Sequence, residues 1–375
     1  MSTTLLTRKV IAPRLSKFGE MLQRALLGEE LCVDEGELLL QAKGKKLQAL
    51  VQAADDMRRQ KIGEIVTYVK NRNINFTNIC SGSCKFCAFR SSSGDPEAYV
   101  LSSEQIEAKV LEALAVGATE VCVQGGLHPD LGLENYLEIL RTIRKVAPSI
   151  HIHAFSPSEI NHIAERDCIG LEEVIKVLRD NGLDSVPGTA AEILSDRVRK
   201  IICPEKITAD QWIKTIKACH RLCLPTTATM MYGHVETPRE LAQHIASIRD
   251  IQRETKGFTE FVLLPFVSRN TPLRLEAKVG PVPDIVQGLR AHAVARLMLA
   301  GHLNNIQTSW VKLGPAGAQL MLNAGANDVG GTLMEESITK AAGVKPHMMR
   351  SEQLEELILG IGRVPRQRTT TYELV

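Results

Sequence analysis

The feature that most constrains the fold is an alternation. From Asn73 onward short strand-like runs recur at 74–78 (INFTN), 120–124 (EVCVQ), 151–155 (HIHAF), 226–233 (TTATMMYG), 258–266 (FTEFVLLPF) and 305–310 (NIQTSW). Between them lie stretches with apolar residues at helical spacing, at 103–116, 134–146, 171–181, 208–222, 238–254 and 284–301. Strands separated by helices of roughly ten to fifteen residues imply right-handed crossovers and a parallel sheet. Sustained this long, the pattern predicts an α/β fold of the TIM-like (β/α) barrel type, closed or partly open. Several strands run into polar or Gly-rich turns (QGGLHPD, AFSPSEI, VPGTAAE, YGHVE, SWVKLGPAG), and the C-terminal mouth of such a barrel is where loops assemble a site.

Ahead of the alternation, residues from about 14 to 70 show helical spacing (Leu15, Phe18, Met21, Leu22, Ala25, Leu26; later Leu47, Leu50, Val51, Ala54) and almost no strand signal. The expected organisation is a helical N-terminal extension over 1–70, a barrel with its completing segment over 71–361, and a loosely held polar tail over 362–375. With 45 Lys and Arg against 43 Asp and Glu the formal charge is +2, too little to attract nucleic acid. No apolar run reaches the ~18 residues that span a bilayer, and the start MSTTLLTRKV lacks a secretory pattern. A cytoplasmic protein with neither nucleic-acid nor membrane partners is expected. Its nine cysteines are odd in number and unevenly spaced, against a disulfide framework and in favour of metal or redox chemistry.

Cys80, Cys84 and Cys87 stand at C-x3-C-x2-C in NICSGSCKFCAFR, just after the first expected strand. Three neighbouring thiolates suit zinc or an iron–sulfur cluster. A closed structural zinc wants four ligands, yet the nearest further candidates, Cys122 and His128, lie on another strand and its turn. Three ligands on a cubane leave one iron open for a small molecule. Ser81 and Gly82 let the loop turn tightly, and Phe86 can shield one side.

This motif, with an aromatic residue before its last cysteine, resembles the signature of the radical S-adenosylmethionine (SAM) superfamily, and the fold expected is that family's barrel. The resemblance implies one 4Fe-4S cluster on Cys80, Cys84 and Cys87 whose open iron chelates SAM. It also implies that Gln124, Gly125 and Gly126, ending the second expected strand, form the turn near the methionine amino group. Segments GDPEAYVLS, QGGLHPD, IHAFSPSEI, GLDSVPGTAAEIL, TTATMMYGHVE, FTEFVLLPF, NNIQTSWVKLG and GANDVGGTLMEE are similar to the family of 5-amino-6-(D-ribitylamino)uracil:L-tyrosine 4-hydroxyphenyl transferases, which supply one half of the synthesis of the deazaflavin FO. The resemblance implies cleavage of the tyrosine Cα–Cβ bond, release of 2-iminoacetate and transfer of the 4-hydroxybenzyl group to the uracil. A single C-x3-C-x2-C motif implies a separate second FO synthase subunit as partner, and a reductase, ferredoxin or flavodoxin as electron donor.

Candidate site residues follow from strand-end position. Tyr232, His234 and Glu236 are the catalytic candidates. His128, His153, Ser156, Thr189, Asn327 and Asp328 are the substrate-binding ones, and Glu192 with Arg199 is set against the ribose or methionine carboxylate of SAM. Each has a plainer alternative: a satisfied interior histidine for His153, packing for Tyr232, a surface ion pair for Glu192 and Arg199, a turn or cap for Asn327 and Asp328. Cys203, Cys219 and Cys223 read as buried small hydrophobes. The rival functions are an aminofutalosine synthase-like radical enzyme of menaquinone biosynthesis and, from another class, a zinc-stabilised binding protein.

Overall fold

The computed structural model describes residues 16–274, 284–335, 337–341, 343 and 348–375. The first fifteen residues of the expected N-terminal extension, with the segment read for a leader, lie outside them. Parallel strands form β1 (Ile65–Val69), β2 (Asn71–Asn75), β3 (Glu120–Gln124), β4 (His151–Ala154), β5 (Thr226–Tyr232), β6 (Phe258–Pro265), β7 (Ile306–Thr308), β8 (Asp328–Gly331) and β9 (Val364–Gln367). They pair as β5-β6-β7-β8-β1-β9 and as β2-β3-β4. Bridges His153↔Ser185 and Val186↔Thr226 carry the pairing from β4 to β5. On the other side β1 runs through Lys70 into β2, where Thr332 Oγ1 accepts from the Asn71 N–H at 3.0 Å and donates to its carbonyl at 2.8 Å. Parallel backbone thus runs around a central space, as the alternation predicts.

The crossover helices start where the sequence supplies caps. Ser102 with Gln105, Ser156 with Glu159, Thr208 with Gln211 and Thr237 with Glu240 each form a capping box, and Pro157 and Pro238 occupy first helical positions that need no N–H donor. The helices Val33–Leu40 and Lys45–Ile62 pack on the outer helices Pro238–Thr255 and Ile285–Leu299, so the N-terminal segment joins the outer layer. Its helical part stops at Ile62, and β1 begins within the segment expected to be helical.

Side-chain parity divides each strand. Asn71, Asn73 and Asn75 on β2, Glu120, Cys122 and Gln124 on β3, Thr227, Thr229 and Met231 on β5, and Glu260, Val262 and Leu264 on β6 face the central cavity. Their alternates, such as Ile74, Val121, Ala228 and Phe261, are fully buried in the outer core.

The tail over 362–375 is the largest departure from expectation. It supplies β9, paired with β1 from Ile65↔Val364 to Tyr68↔Gln367, and then enters the N-terminal end of the barrel. There Arg368, 2% exposed, donates to Asp328 at 2.5 Å and to Glu260 at 3.1 Å. Thr370 donates to Glu120 at 2.6 Å and Tyr372 to Glu260 at 2.5 Å. Removing one partner of a buried pair leaves uncompensated charge, at a cost of about 3–5 kcal/mol. Arg368→Ala is therefore expected to lower unfolding stability by about that amount, measured by chemical denaturation, whereas Arg366→Ala on the same tail stays within about 0.5 kcal/mol.

Candidate active site

A cavity of about 430 Å³ runs from Cys80, Cys84 and Cys87 at the C-terminal mouth of the barrel down to Arg368 and Thr370 at its floor. The thiol-bearing loop is tied by backbone bonds to separate parts of the mouth: Ser81 N–H donates to the Leu127 carbonyl, Lys85 N–H to Ile202, and Leu273 N–H to Lys85. Close approach is possible only without side chains at two positions. A Cβ on Gly126 would lie 2.2 Å from the Ile79 carbonyl oxygen and 2.8 Å from Cys80 Cβ, and one on Gly125 would lie 2.5 Å from the Phe76 ring. The Leu127 N–H then points at Cys80 Sγ, 3.3 Å away.

Electrostatics at the mouth are set by two buried carboxylates. Glu192 is held below its ordinary range, against the desolvation of burial, by Lys206, which donates to it at 2.6 Å. Lys206 also stands 5.5 Å from the centre of the Phe86 ring. Glu159 accepts from the N–H groups of Gly125 at 3.0 Å and Ser156 at 2.7 Å, yet burial pushes it up to about 7. Burial likewise pushes the Cys84 thiol up to about 11, with Lys206 opposing; a positively charged metal centre reverses such a bias.

Of the residues expected from sequence, Cys80, Cys84, Cys87, Phe86, Gln124, Gly125, Gly126, Glu192, His153, Ser156 and Thr189 all line this cavity. The others are placed elsewhere. Tyr232 has the outward parity on β5 and lies edge-on to His292, ring centres 6.2 Å apart. Glu236 accepts from the N–H groups of Gly233 and His234 at 2.6 and 2.8 Å, and His234 Nε2 lies 3.1 Å from the Met231 carbonyl. This pair therefore locks the turn after β5, and none of the three catalytic candidates reaches the cavity. Arg199 donates to the carbonyls of Ala190, Ala191 and Ile207; it shapes the loop that carries Glu192, whose ion-pair partner is Lys206. His128 Nδ1 accepts from the Asp130 N–H in its own turn. Asn327 Oδ1 accepts from Arg296 and the Ile306 N–H, and Asp328 lies behind the cavity as the Arg368 partner. Cys203 and Cys219 are buried as expected, but Cys223 is exposed.

Sequence reasoning missed Glu159, Lys206, the β2 asparagines, Glu120, Glu260, Gln307 and Arg368, which all line the cavity. The asparagines carried a readable signal, three amides at period two in NRNIN. Glu159 carried another, as the last member of the capping box in SPSE.

A parallel barrel with three thiols at its mouth is the architecture of radical SAM enzymes, and residues 74–248 match the model of the radical SAM superfamily. Residues 255–375 match that of the CofH/MqnC C-terminal region. A 5-amino-6-(D-ribitylamino)uracil–L-tyrosine 4-hydroxyphenyl transferase of Methanosarcina barkeri is 49% identical over 357 residues, 94% of this chain and 93% of the relative. One from Methanococcus maripaludis is 48% identical over 330 residues, 87% and 92% of the two chains. An FO synthase of Nocardia farcinica is 48% identical over 340 residues, 90% of this chain but only 39% of that protein. The chain belongs to this 4-hydroxyphenyl transferase family of radical SAM enzymes. Methylornithine synthase (TM-score 0.69, 17% identity, 92% and 97% of the two chains) and the FeFe-hydrogenase maturase HydG from Carboxydothermus hydrogenoformans (TM-score 0.73, 13% identity, 95% and 80%) share the fold.

The raised Glu159 carboxyl predicts a pH effect. Between the ordinary value of 4.5 and about 7 the folded chain keeps a proton there that the unfolded chain has released. Its contribution to stability is present below that window and is lost as pH rises through it, with a slope of at most about 1.4 kcal/mol per pH unit. Denaturant titrations at pH 5 and pH 7 are expected to show a smaller decline in Glu159→Gln than in the wild type.

Proposed function

We propose that this chain is a radical SAM transferase that breaks the Cα–Cβ bond of L-tyrosine and moves the 4-hydroxybenzyl group to 5-amino-6-(D-ribitylamino)uracil. The observation that carries this reading is a single cavity with thiols at one end and hydrogen-bonding strand residues along its depth, in a chain 48% identical to a transferase of that name over 92% of the relative.

The thiols fit a cluster better than one ion. Cys80 and Cys84 flank a gap at Gly82, where a Cβ would lie 3.5 and 4.0 Å from their sulfurs. A closed structural zinc takes four ligands, whereas the loop offers three thiols, Cys80, Cys84 and Cys87. A cubane instead takes one thiolate at each of three separate corners. Cys80, Cys84 and Cys87 are thus assigned to one 4Fe-4S cluster with an open iron for SAM. When bound, this group supplies the electron that cleaves SAM and so starts the oxidation of tyrosine.

The chain's own residues bind, orient and dry the site. Gly125 and Gly126 admit the methionine end of SAM, and Glu159, anchored by two N–H groups, accepts its amino group. Phe86 covers one side of the cluster loop, and Lys206 places positive charge beside it. Met231, Val262 and Leu264 keep part of the wall apolar, which limits quenching by water.

A second FO synthase subunit is the proposed consumer of the adduct, in keeping with the Nocardia FO synthase, 39% of which this chain matches. A reductase, ferredoxin or flavodoxin is the proposed electron source. None of the nine cysteines is in a disulfide, which suits the reducing cytoplasm; no helix among the described residues is long and apolar enough to cross a membrane.

Anaerobically reconstituted protein given a reductant, SAM, tyrosine and the diaminouracil is expected to form the hydroxybenzyl adduct by mass spectrometry, and Cys84→Ala to form neither adduct nor 5′-deoxyadenosine. Formation of 5′-deoxyadenosine by the wild type without adduct would shift the acceptor towards that of an aminofutalosine synthase-like enzyme.

A further inference from the structure

The cavity changes chemistry with depth. Of its described cations other than Arg368, Arg90 and Lys206 lie on loops beyond the strand ends and Lys312 on the helix Trp310–Leu322 that follows β7, all at the mouth beside Glu159, Glu192 and Glu205. At the floor, Glu260 and the adjacent Asp328 face Arg368, and Glu120 accepts from Asn71 and Thr370. The donors of Arg368 are directed at Asp328, Glu260 and the Thr369 carbonyl. His153, level with Asn73 across β3, is pushed down to about 4 by burial and so is neutral at pH 7. An anion arriving at this floor meets carboxylates and a guanidinium already engaged.

On the wall above, hydrogen-bond acceptors stand unused. Asn75, 9% exposed and lining the cavity, has an Oδ1 with no partner, and Asn73 Oδ1 and Thr189 Oγ1 are likewise buried without one. Asn73 and Asn75 share a face of β2, with their side chains about 7 Å apart. A buried carbonyl oxygen without a donor is costly, so the wall calls for a ligand rich in O–H or N–H groups and free of negative charge.

We infer that Asn73 and Asn75, above the carboxylate floor of Glu120 and Glu260, form the subsite for the ribityl chain of the acceptor, a neutral polyol whose hydroxyls donate to them, and that the same floor rejects the 5′-phosphorylated diaminouracil. This rests on the transferase reading. Tyrosine is a poorer occupant, because its carboxylate needs a cation and the described cation at the floor, Arg368, is engaged by Asp328, Glu260 and the Thr369 carbonyl. The ribityl chain carries donors at successive carbons and no charge.

The test is steady-state kinetics on the reconstituted holoenzyme. Asn73→Ala and Asn75→Ala are each expected to raise KM for the diaminouracil roughly tenfold more than KM for tyrosine, the equivalent of one lost hydrogen bond. Wild-type enzyme is expected to use the 5′-phosphorylated diaminouracil at least about a hundredfold less efficiently than the unphosphorylated form, by two unfavourable contacts of that size. The phosphate arm needs no variant, so a misfolded substitution does not leave the inference untested. Equal use of the phosphorylated form, or a rise in tyrosine KM matching that for the diaminouracil, would overturn the subsite. Absence of adduct from wild-type enzyme and unphosphorylated substrate would instead overturn the transferase reading.

Discussion

Asp328 and Glu260 face the same small volume inside the barrel, and it is Arg368, from the far end of the chain, that makes this arrangement tolerable. Two carboxylates removed from water repel each other and lose hydration, whereas a guanidinium between them recovers both losses through charge-assisted hydrogen bonds. Arg368 reaches Asp328 through two donors and Glu260 through a third contact, and Tyr372 stacks on its guanidinium at 4.0 Å. Even so, burial together with the neighbouring Asp328 and Glu120 pushes Glu260 up to about 7, against the pull of Arg368. The barrel floor therefore cannot be settled until the last residues of the chain have docked. β9 is the device that docks them, by adding to β1 in strict register.

With the guanidinium of the floor engaged by its own carboxylates, the cavity can keep unsatisfied groups only where a ligand will meet them. The contrast along β2 shows this. Asn71, nearest the floor, is engaged on both sides of its amide, donating to Glu120 and accepting from the Leu333 N–H. Asn73 and Asn75, further up the same face, each retain an unpartnered oxygen. Native structures pair nearly all their buried polar atoms, so two orphans on one face of one strand, both opening onto a cavity, mark where the protein ends and its substrate begins.

Much of this was legible in the sequence, and the failures share a cause. The runs at 120–124, 151–155, 226–233 and 258–266 agree with β3 to β6 within a residue, because each combines β-branched or aromatic residues with flanking turns. β8 reads DVGG and β9 reads VPRQ; glycine and proline weaken the strand signal in both. Gly331 is nonetheless required in β8, since a Cβ there would lie 2.0 Å from Asn71 Oδ1. The cysteine loop was visible because metal-ligand spacing is local. Tyr232, His234 and Glu236 were chosen on strand-end position alone, which identifies the mouth but not which side chains enter it. Parity decides that: Met231 points in, so Tyr232 points out. Placing a strand at 74–78 where β2 spans 71–75 moved Asn71 and Asn73 out of the strand, and with them the run of three inward amides.

Parity also explains how one cavity serves two dissimilar substrates. On β2 and β3 the inward positions are Asn71, Asn73, Asn75, Glu120, Cys122 and Gln124, whereas towards the strand ends of β5 and β6 they are Met231, Val262 and Leu264. The two sets face each other across the barrel, one wall rich in acceptors and the other apolar. An aromatic amino acid favours the apolar wall for its ring and, for its carboxylate, the mouth, where Arg90, Lys206 and Lys312 lie. A polyol-bearing pyrimidine favours the acceptor wall and the floor. Neither then needs to displace the other, and both can present their reacting carbons to the space below the thiols. Because parallel strands buried on both faces show no simple polar and apolar alternation, this division emerges only once the register of each strand is known.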